Sequence, residues 1–385
     1  MLDFFDLKYK AFGLEITDSQ VRVAQFKRGG NKLDGLVTRH VPLASGVVKD
    51  GEIKNSNALV LAIKRAVATV KDEKKIFGKY VVASLPENKA FSEIIQMPRL
   101  SLRDLRSAVI FEAENYIPLP IEKVYLDFEI IENPPAPADH FDILLVAMPR
   151  TVVDSYANAI KAAGLNPLAF EPESQAVIRT IMSAKPAGSG SLMITQIGDS
   201  RSNLIIYAAG SPRFTFSIPI SNRYFLDTIV KFLKVSQEKA ENLKTTLGIL
   251  TQGFDRGAPA DAKKDNDQGK KIFEAMVPGL VDFVQQAAKC LEYYKDHAAH
   301  EHGLGGEGRI GKVILCGSGA DLKGLDGFIS LKLNVPVIDG RQVVAVSDTS
   351  QKNGIGAINK YSGDSVVVAG LALRAITESG RIMAF

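Results

Sequence analysis

Two stretches of this sequence, Ala11 to Pro42 and Ser191 to Pro219, carry the same pattern about 180 residues apart, and such a repeat constrains a fold more than any single motif. In the first, FGLEIT, QVRVAQFK and LVTRHVPL read as three short strands, separated by Asp18-Ser19 and by Gly29-Gly30-Asn31-Lys32. In the second, SLMITQIG, SNLIIYAAG and PRFTFSIP keep that order, with turns at Gly198-Asp199-Ser200 and Gly210-Ser211-Pro212. Val21, Val23 and Gln25 alternate with Arg22, Ala24 and Phe26, the period of two that suits an antiparallel hairpin. Each meander is followed by helices. The expectation is a duplicated α/β domain with a cleft between the copies.

The remaining patterns divide the chain. Residues 1–10 read as a leader. Residues 11–84 and 150–185 read as the core of a first lobe, with a helix over Asn57 to Val70 and the buried strand KYVVASLP. Residues 85–149 read as an inserted subdomain. Its helix opens at Ser101 with Asp104 as capping partner and stops near Tyr116, because Pro118 and Pro120 cannot continue it. Its strands are VYLDFEII and FDILLVAMP. Residues 186–230 and 309–376 read as a second lobe, closed by the helix SVVVAGLALRAI, whose Ala369, Gly370 and Ala372 permit close packing. Residues 231–308 read as a helical insertion containing a mobile loop over 252–271, where Gly, Asp, Lys and Pro crowd out large apolar residues.

Composition excludes several classes. Forty-seven Lys and Arg against 43 Asp and Glu leave a formal charge of +4 and no basic stripe, which gives no footprint for nucleic acid. Cys290 and Cys316 are the only cysteines, too few for a disulfide scaffold or a Cys-rich metal site. The longest nearly apolar run, Val366 to Ile376, falls far short of the roughly 20 residues a membrane span needs. His297, His300 and His302 read as a solvated helix end, with a transition-metal site as the alternative. Glu173 reads as a capping residue for the helix behind it.

Three turns after apolar strands have the composition of phosphate-wrapping loops: Thr17-Asp18-Ser19, Gly198-Asp199-Ser200 and Gly317-Ser318-Gly319. Ordinary turns use the same residues, so the argument rests on the first two holding equivalent places in the repeat. FGLEITDSQVRVAQF, ITQIGDSRSNLIIY and VILCGSGADLKGL resemble the first-phosphate, second-phosphate and adenosine segments of the actin-like ATPases. EAENYIPLPIEKVYLDFEII, KAAGLNPLAFEP, EKAENLKTTLG and VAGLALRAI, taken together, resemble the PilM family of actin-like proteins from type IV pilus assembly.

That resemblance implies an actin-like, ribonuclease H-like duplicated α/β fold: two lobes of two subdomains each around a nucleotide cleft that takes ATP with Mg²⁺. It implies that Thr17, Asp18, Ser19 and Arg22 contact phosphate from one side, with Glu15 at the family's first acidic position. Gly198, Asp199, Ser200 and Ser202 form the opposing loop, Glu241 and Lys244 flank the adenosine from one helix face, and Gly317, Ser318, Gly319 and Ala320 let the nucleotide approach the backbone. Glu171 matches a family Glu at the hinge between halves. Departures accompany the match. Gln196 stands where an Asp holds Mg²⁺ through water, so a negative charge is missing; Glu15 and Gln196 together offer weak metal placement. Thr17 and Ser318 replace glycines. Nucleotide binding is therefore expected with slow or absent hydrolysis.

The resemblance further implies a cytoplasmic scaffold, peripheral at the inner face of the bacterial inner membrane, that binds the N-terminal tail of a PilN-like single-span protein on the inserted subdomain and joins the pilus, or a related secretion, machinery. An active Mg²⁺-dependent ATPase or phosphotransferase is the alternative, and no carboxylate base stands out between Gly198 and Phe225. An FtsA-like tether would need an amphipathic tail, for which ESGRIMAF is short and polar.

Overall fold

The computed structural model describes residues 10–29, 32–68, 76–131, 140–183, 190–249, 263–297, 308–346 and 363–377. The chain divides into two compact units: Met1–Pro186 with Val344–Tyr361 and Ser365–Phe385, and Ala187–Val343 with Ser362–Asp364.

In the first unit, β1 (Ala11–Ile16), β2 (Gln20–Gly29) and β3 (Lys32–Pro42) form the expected antiparallel meander. A ribbon of β4 (Val48–Lys49) and β5 (Glu52–Ile53) follows, then α1 (Ser56–Val67), which starts where Asn55 Oδ1 accepts the Ala58 amide and buries Leu59, Ala62, Ile63 and Ala66. β6 (Tyr80–Leu85) pairs parallel to β1. The chain then leaves the sheet through β7 (Phe91–Pro98), α2 (Leu102–Ala113), β8 (Val124–Ile131) and β9 (His140–Pro149), which have their own sheet, β7-β9-β8, and their own core around Leu105, Val109, Ile143 and Leu145. Ser101 Oγ caps α2 and donates to Asp104 Oδ2 at 2.7 Å. After α3 (Arg150–Ala162), β10 (Asn166–Pro172) returns parallel to β6 and α4 (Glu173–Ser183) follows, giving the sheet order β10-β6-β1-β2-β3.

The second unit repeats this plan. β11 (Ser191–Ile197), β12 (Ser202–Ala208) and β13 (Ser211–Ile218) are the meander. α5 (Asn222–Leu233), α6 (Gln237–Thr246) and α7 (Lys263–His297) pack over it before β14 (Ile310–Cys316) joins β11 in parallel; α8 (Leu325–Leu333), β15 (Val337–Asp339) and α9 (Gly340–Val346) follow. The order β13-β12-β11-β14-β15 matches the first sheet strand for strand, with the same parallel and antiparallel senses. Duplication is thus a property of the topology as well as of the sequence.

Two boundaries differ from the sequence reading. The stretch 309–376, expected within one lobe, is divided: α10 (Val366–Thr377) packs on α4 and β1 of the first unit. Glycine explains the attachment. A Cβ on Gly370 would stand 1.9 Å from the Ala176 carbonyl oxygen, and one on Gly13 would stand 2.7 Å from the Val368 carbonyl oxygen. The mobile loop expected over 252–271 lies outside the described residues as far as 262, but from Lys263 the chain is already helical, because Lys, Asp and Gln suit a helix as well as a loop. His300 and His302, and the side chain of His297, lie outside the described residues.

Both cysteines are buried, and desolvation lifts the Cys290 thiol to about 11 and the Cys316 thiol higher still. Native protein at pH 8 is therefore expected to leave a thiol reagent such as DTNB unreacted, with both thiols titrating after guanidinium denaturation. Rapid native labelling of Cys316 would contradict its placement on β14.

Candidate functional site

The two β-hairpins that open each meander are superimposable in plan. Ile16 faces Val21 and Ile197 faces Ser202, with four residues between in each case. The first of the four donates its amide to the carbonyl of the last: Thr17 to Gln20 and Gly198 to Arg201, both at 2.9 Å. One pair back from each turn stand Glu15 and Gln196, the two residues expected to place a metal. There Glu15 faces Arg22, and Gln196 faces Asn203. Arg22 Nη1 donates to Glu15 Oε1 at 3.1 Å with both side chains buried, and Asn203 Nδ2 donates to Gln196 Oε1 at 2.8 Å. Arg22, expected on a phosphate, is held by Glu15. One position is neutralised by its partner and the other carries no charge, a donor set that does not fit a tightly held Mg²⁺.

Beyond this shared plan the hairpins differ. Thr17 Oγ1 accepts the amides of Ser19 and Gln20 at 3.3 and 3.2 Å, so the loop's own hydroxyl occupies donors a phosphate would use. Asp18 accepts the Asp50 and Gly51 amides at 2.9 and 3.1 Å, bracing the β4–β5 turn. In the second hairpin Ser200 is partly exposed and carries its amide and hydroxyl without a partner among the described residues. Ser202, expected in the loop's binding set, is fully buried and donates to the Ile220 carbonyl at 2.5 Å. It fastens β12 to the start of α5.

Around the second hairpin the fold assembles most of the residues that the sequence reading placed there. Ser318 Oγ donates to Asp199 Oδ1 at 2.8 Å. Gly317 has φ +95°, and a Cβ there would stand 2.3 Å from the Ile197 carbonyl oxygen; Gly319 donates its amide to that same carbonyl at 3.0 Å. Ala320 closes the turn by donating to the Gly317 carbonyl. Asn222 and Arg223, in the first turn of α5, donate to the Gly198 and Asp199 carbonyls. Lys244 lies beneath, with no exposed side-chain surface. Its Nζ stands 2.6 Å from Glu241 Oε1, 2.8 Å from Asp321 Oδ1, 2.7 Å from Asn222 Oδ1 and 3.2 Å from the Ser318 carbonyl. Lys244 thus ties α6 to the base of α5 and to the glycine turn. Asn222 and Asp321 were not among the expected site residues, although Asp321 lies inside the VILCGSGADLKGL segment, because their contact with Lys244 joins stretches far apart in sequence.

The first unit holds a separate cavity of about 620 Å³. It lies between the two sheet edges β8 and β10, lined by Leu126, Val146, Met148 and Phe170, with Arg106, Arg150 and Arg374 among its charged residues. Its floor is an ion cluster. Buried Glu171 accepts from Arg179 at 2.6 and 2.8 Å and from Arg374 at 2.6 Å, joining β10, α4 and α10. Arg150 lies 4.2 Å from the Tyr125 ring centroid and donates to the Glu122 carbonyl. Glu173, expected as a cap, is the first residue of α4, and it is Glu87, from a turn far away in sequence, that accepts the Ser174 amide at 2.9 Å.

Among the described residues no helix is long and apolar enough to cross a membrane. Comparison with solved structures finds the same actin-like α/β fold. A PilM–PilN type IV pilus biogenesis complex matches with a TM-score of 0.72 at 22% identity, over 96% of this chain and 99% of that one. The ethanolamine utilization protein EutJ from Carboxydothermus hydrogenoformans matches with a TM-score of 0.51 at 13% identity, over 94% of this chain and 88% of that one. The family profile described as type IV pilus assembly protein PilM matches residues 13–257, well over half of the sequence. With its doubled five-stranded sheet and inserted β7-β9-β8 subdomain, the chain belongs to the PilM family of type IV pilus assembly proteins.

Proposed function

We propose that this protein is an actin-like nucleotide-binding scaffold whose cavity between β8 and β10 receives the N-terminal cytoplasmic tail of a PilN-like membrane protein, which holds it at the inner face of the inner membrane. The observation that carries this reading is the cavity itself. It lies between two strand edges, so an extended segment gains main-chain hydrogen bonds while its side chains reach Leu126, Val146 and Met148. Its volume falls in the range of sites that bury a few side chains.

The nucleotide belongs with the second unit's cluster. Ser200 offers donors to phosphate, the Gly317–Gly319 turn offers close backbone approach, and Lys244 keeps the two in register. ATP is the ligand on this reading. Binding does not depend on Mg²⁺, because Glu15 and Gln196 are engaged across their hairpins.

Titration calorimetry with a synthetic PilN tail peptide, and separately with ATP in EDTA and in Mg²⁺, tests both halves. Leu126→Glu is expected to weaken the peptide by at least about tenfold and leave ATP unchanged. ATP affinity is expected to agree within about threefold with and without Mg²⁺. Peptide affinity indifferent to Leu126→Glu would remove the cavity from the reading. Phosphate release near about one per second with Mg²⁺ would replace scaffold by ATPase.

A further inference from the structure

We propose that Tyr224 is the positioning residue of the second hairpin: its ring, seated on Gly279 of α7, holds the start of α5 against Gly198 and Asp199 and so sets the spacing of the site assigned to ATP. A local conflict in the sequence of α7 points there. Pro278 and Gly279 stand side by side within this helix, the two residue types least suited to a helix interior. Pro278 has no amide to give the Glu274 carbonyl one turn back. A conflict of this kind marks a position that something other than helix stability has fixed. At Gly279 that constraint is close contact. A Cβ there would stand 2.5 Å from the Tyr224 hydroxyl oxygen and 2.6 Å from its Cζ, and closer still to Cε1. Only a residue without a side chain lets this ring reach the backbone of α7.

Tyr224 belongs to the turn of α5 that meets the hairpin. Its amide donates to Ser221 Oγ at 3.2 Å, its carbonyl accepts from Thr228 Oγ1 at 2.7 Å, and its ring meets buried Phe225 edge-on with centroids 6.2 Å apart. The hydroxyl has no hydrogen-bond partner among the described residues, so the ring acts by its bulk. The two residues before it, Asn222 and Arg223, lie where helix amides have no acceptor within their own helix. They donate instead to the Gly198 and Asp199 carbonyls at 2.9 and 3.1 Å. Asn222 also receives Lys244 on Oδ1, and a Cβ on Gly319 would stand 3.3 Å from its amide nitrogen. Hairpin, glycine turn and buried lysine therefore meet at the first turn of α5. Ser202 fastens the strand side of that turn through the Ile220 carbonyl, and Tyr224 fastens the helix side to α7.

Residue-resolved hydrogen exchange of the full chain without nucleotide tests the proposal. Protection of the Asn222 and Arg223 amides reports the hairpin contact, whereas Leu226 to Leu233 report the helix itself. Tyr224→Ala is expected to lower protection of Asn222 and Arg223 by about tenfold or more and to leave Leu226 to Leu233 within about threefold. Tyr224→Phe is expected to retain the native pattern. Gly279→Ala is expected to reproduce the effect of Tyr224→Ala, since the new methyl displaces the ring. In the Tyr224→Ala background the same change is expected to add nothing, because the space is open and alanine suits the helix. The link to the site rests on the nucleotide reading, and ATP affinity is expected to fall by about tenfold in Tyr224→Ala and in Gly279→Ala. A uniform loss of protection along α5, additive effects of the two changes, or a silent Gly279→Ala overturns the positioning role, whatever ATP does. ATP affinity unmoved by a change that frees Asn222 and Arg223 overturns the link to the site. Failure of the native chain to bind ATP removes the nucleotide reading, and the exchange pattern then decides the role of Tyr224 by itself.

Discussion

Replacing Glu171 by Ala is expected to lower the stability of the first unit by about 3 kcal/mol, among the largest losses from any single change in this protein. The carboxylate is 3% exposed and receives three charged hydrogen bonds, from Arg179 on α4 and Arg374 on α10. Removing it leaves two guanidinium groups facing each other. Breaking a buried pair costs about 3–5 kcal/mol, and the lower end applies because Arg179 and Arg374 keep 30% and 14% of their side-chain surface in water. Glu171→Gln, which keeps the shape and one acceptor, is expected to cost about half as much. Because two units unfold in this chain, urea denaturation is best followed by hydrogen exchange of α4 and α10. A loss below about 1 kcal/mol would show that these residues do not hold the helices together. The same change is expected to weaken tail-peptide binding, since Glu171 and Arg374 also line the cavity.

That cluster also shows where sequence reasoning ran out. The doubled meander was legible because strand period and turn chemistry are local, and because seven- and eight-residue strands give the pattern room to repeat. The β4–β5 ribbon was not, since two-residue strands have no period. Glu171 stands 203 residues from Arg374, and nothing local joins them. The Glu15–Arg22 and Gln196–Asn203 pairs occupy an intermediate position. Once a hairpin has a four-residue turn, its register follows, and the facing residues can be read directly. Reading them so would have shown that Arg22 faces Glu15 on the neighbouring strand and that the second hairpin carries a neutral pair at the same place. The two hairpin turns expected to hold phosphate were legible as turns by composition. The self-closure of the first through Thr17 Oγ1 was not, because a hydroxyl has the same letter whether it binds a ligand or its own backbone.

Lys244→Met separates two roles that a sequence motif cannot distinguish. A lysine that reached into solvent to hold an adenosine would, on replacement, cost nucleotide affinity and leave stability within about 0.5 kcal/mol. Here the ammonium is fully buried and bonded to Asn222 and the Ser318 carbonyl, with Glu241 and Asp321 at its sides. Methionine matches its volume closely, so no cavity opens. The two carboxylates, 46% and 34% exposed, return to water at modest cost. The carbonyl and the amide oxygen lose their charged donor, at about 1–3 kcal/mol each when left buried without another partner. The expected loss is about 3 kcal/mol in the second unit, read from hydrogen exchange along α6 and β14, together with a large fall in ATP affinity as the Gly317–Gly319 turn loosens. Arginine should not rescue it, because a planar fork cannot reproduce a point charge shared among four oxygens. Intact stability with lost ATP binding would instead put the ammonium on the ligand and overturn the arrangement described for α5, α6 and the glycine turn.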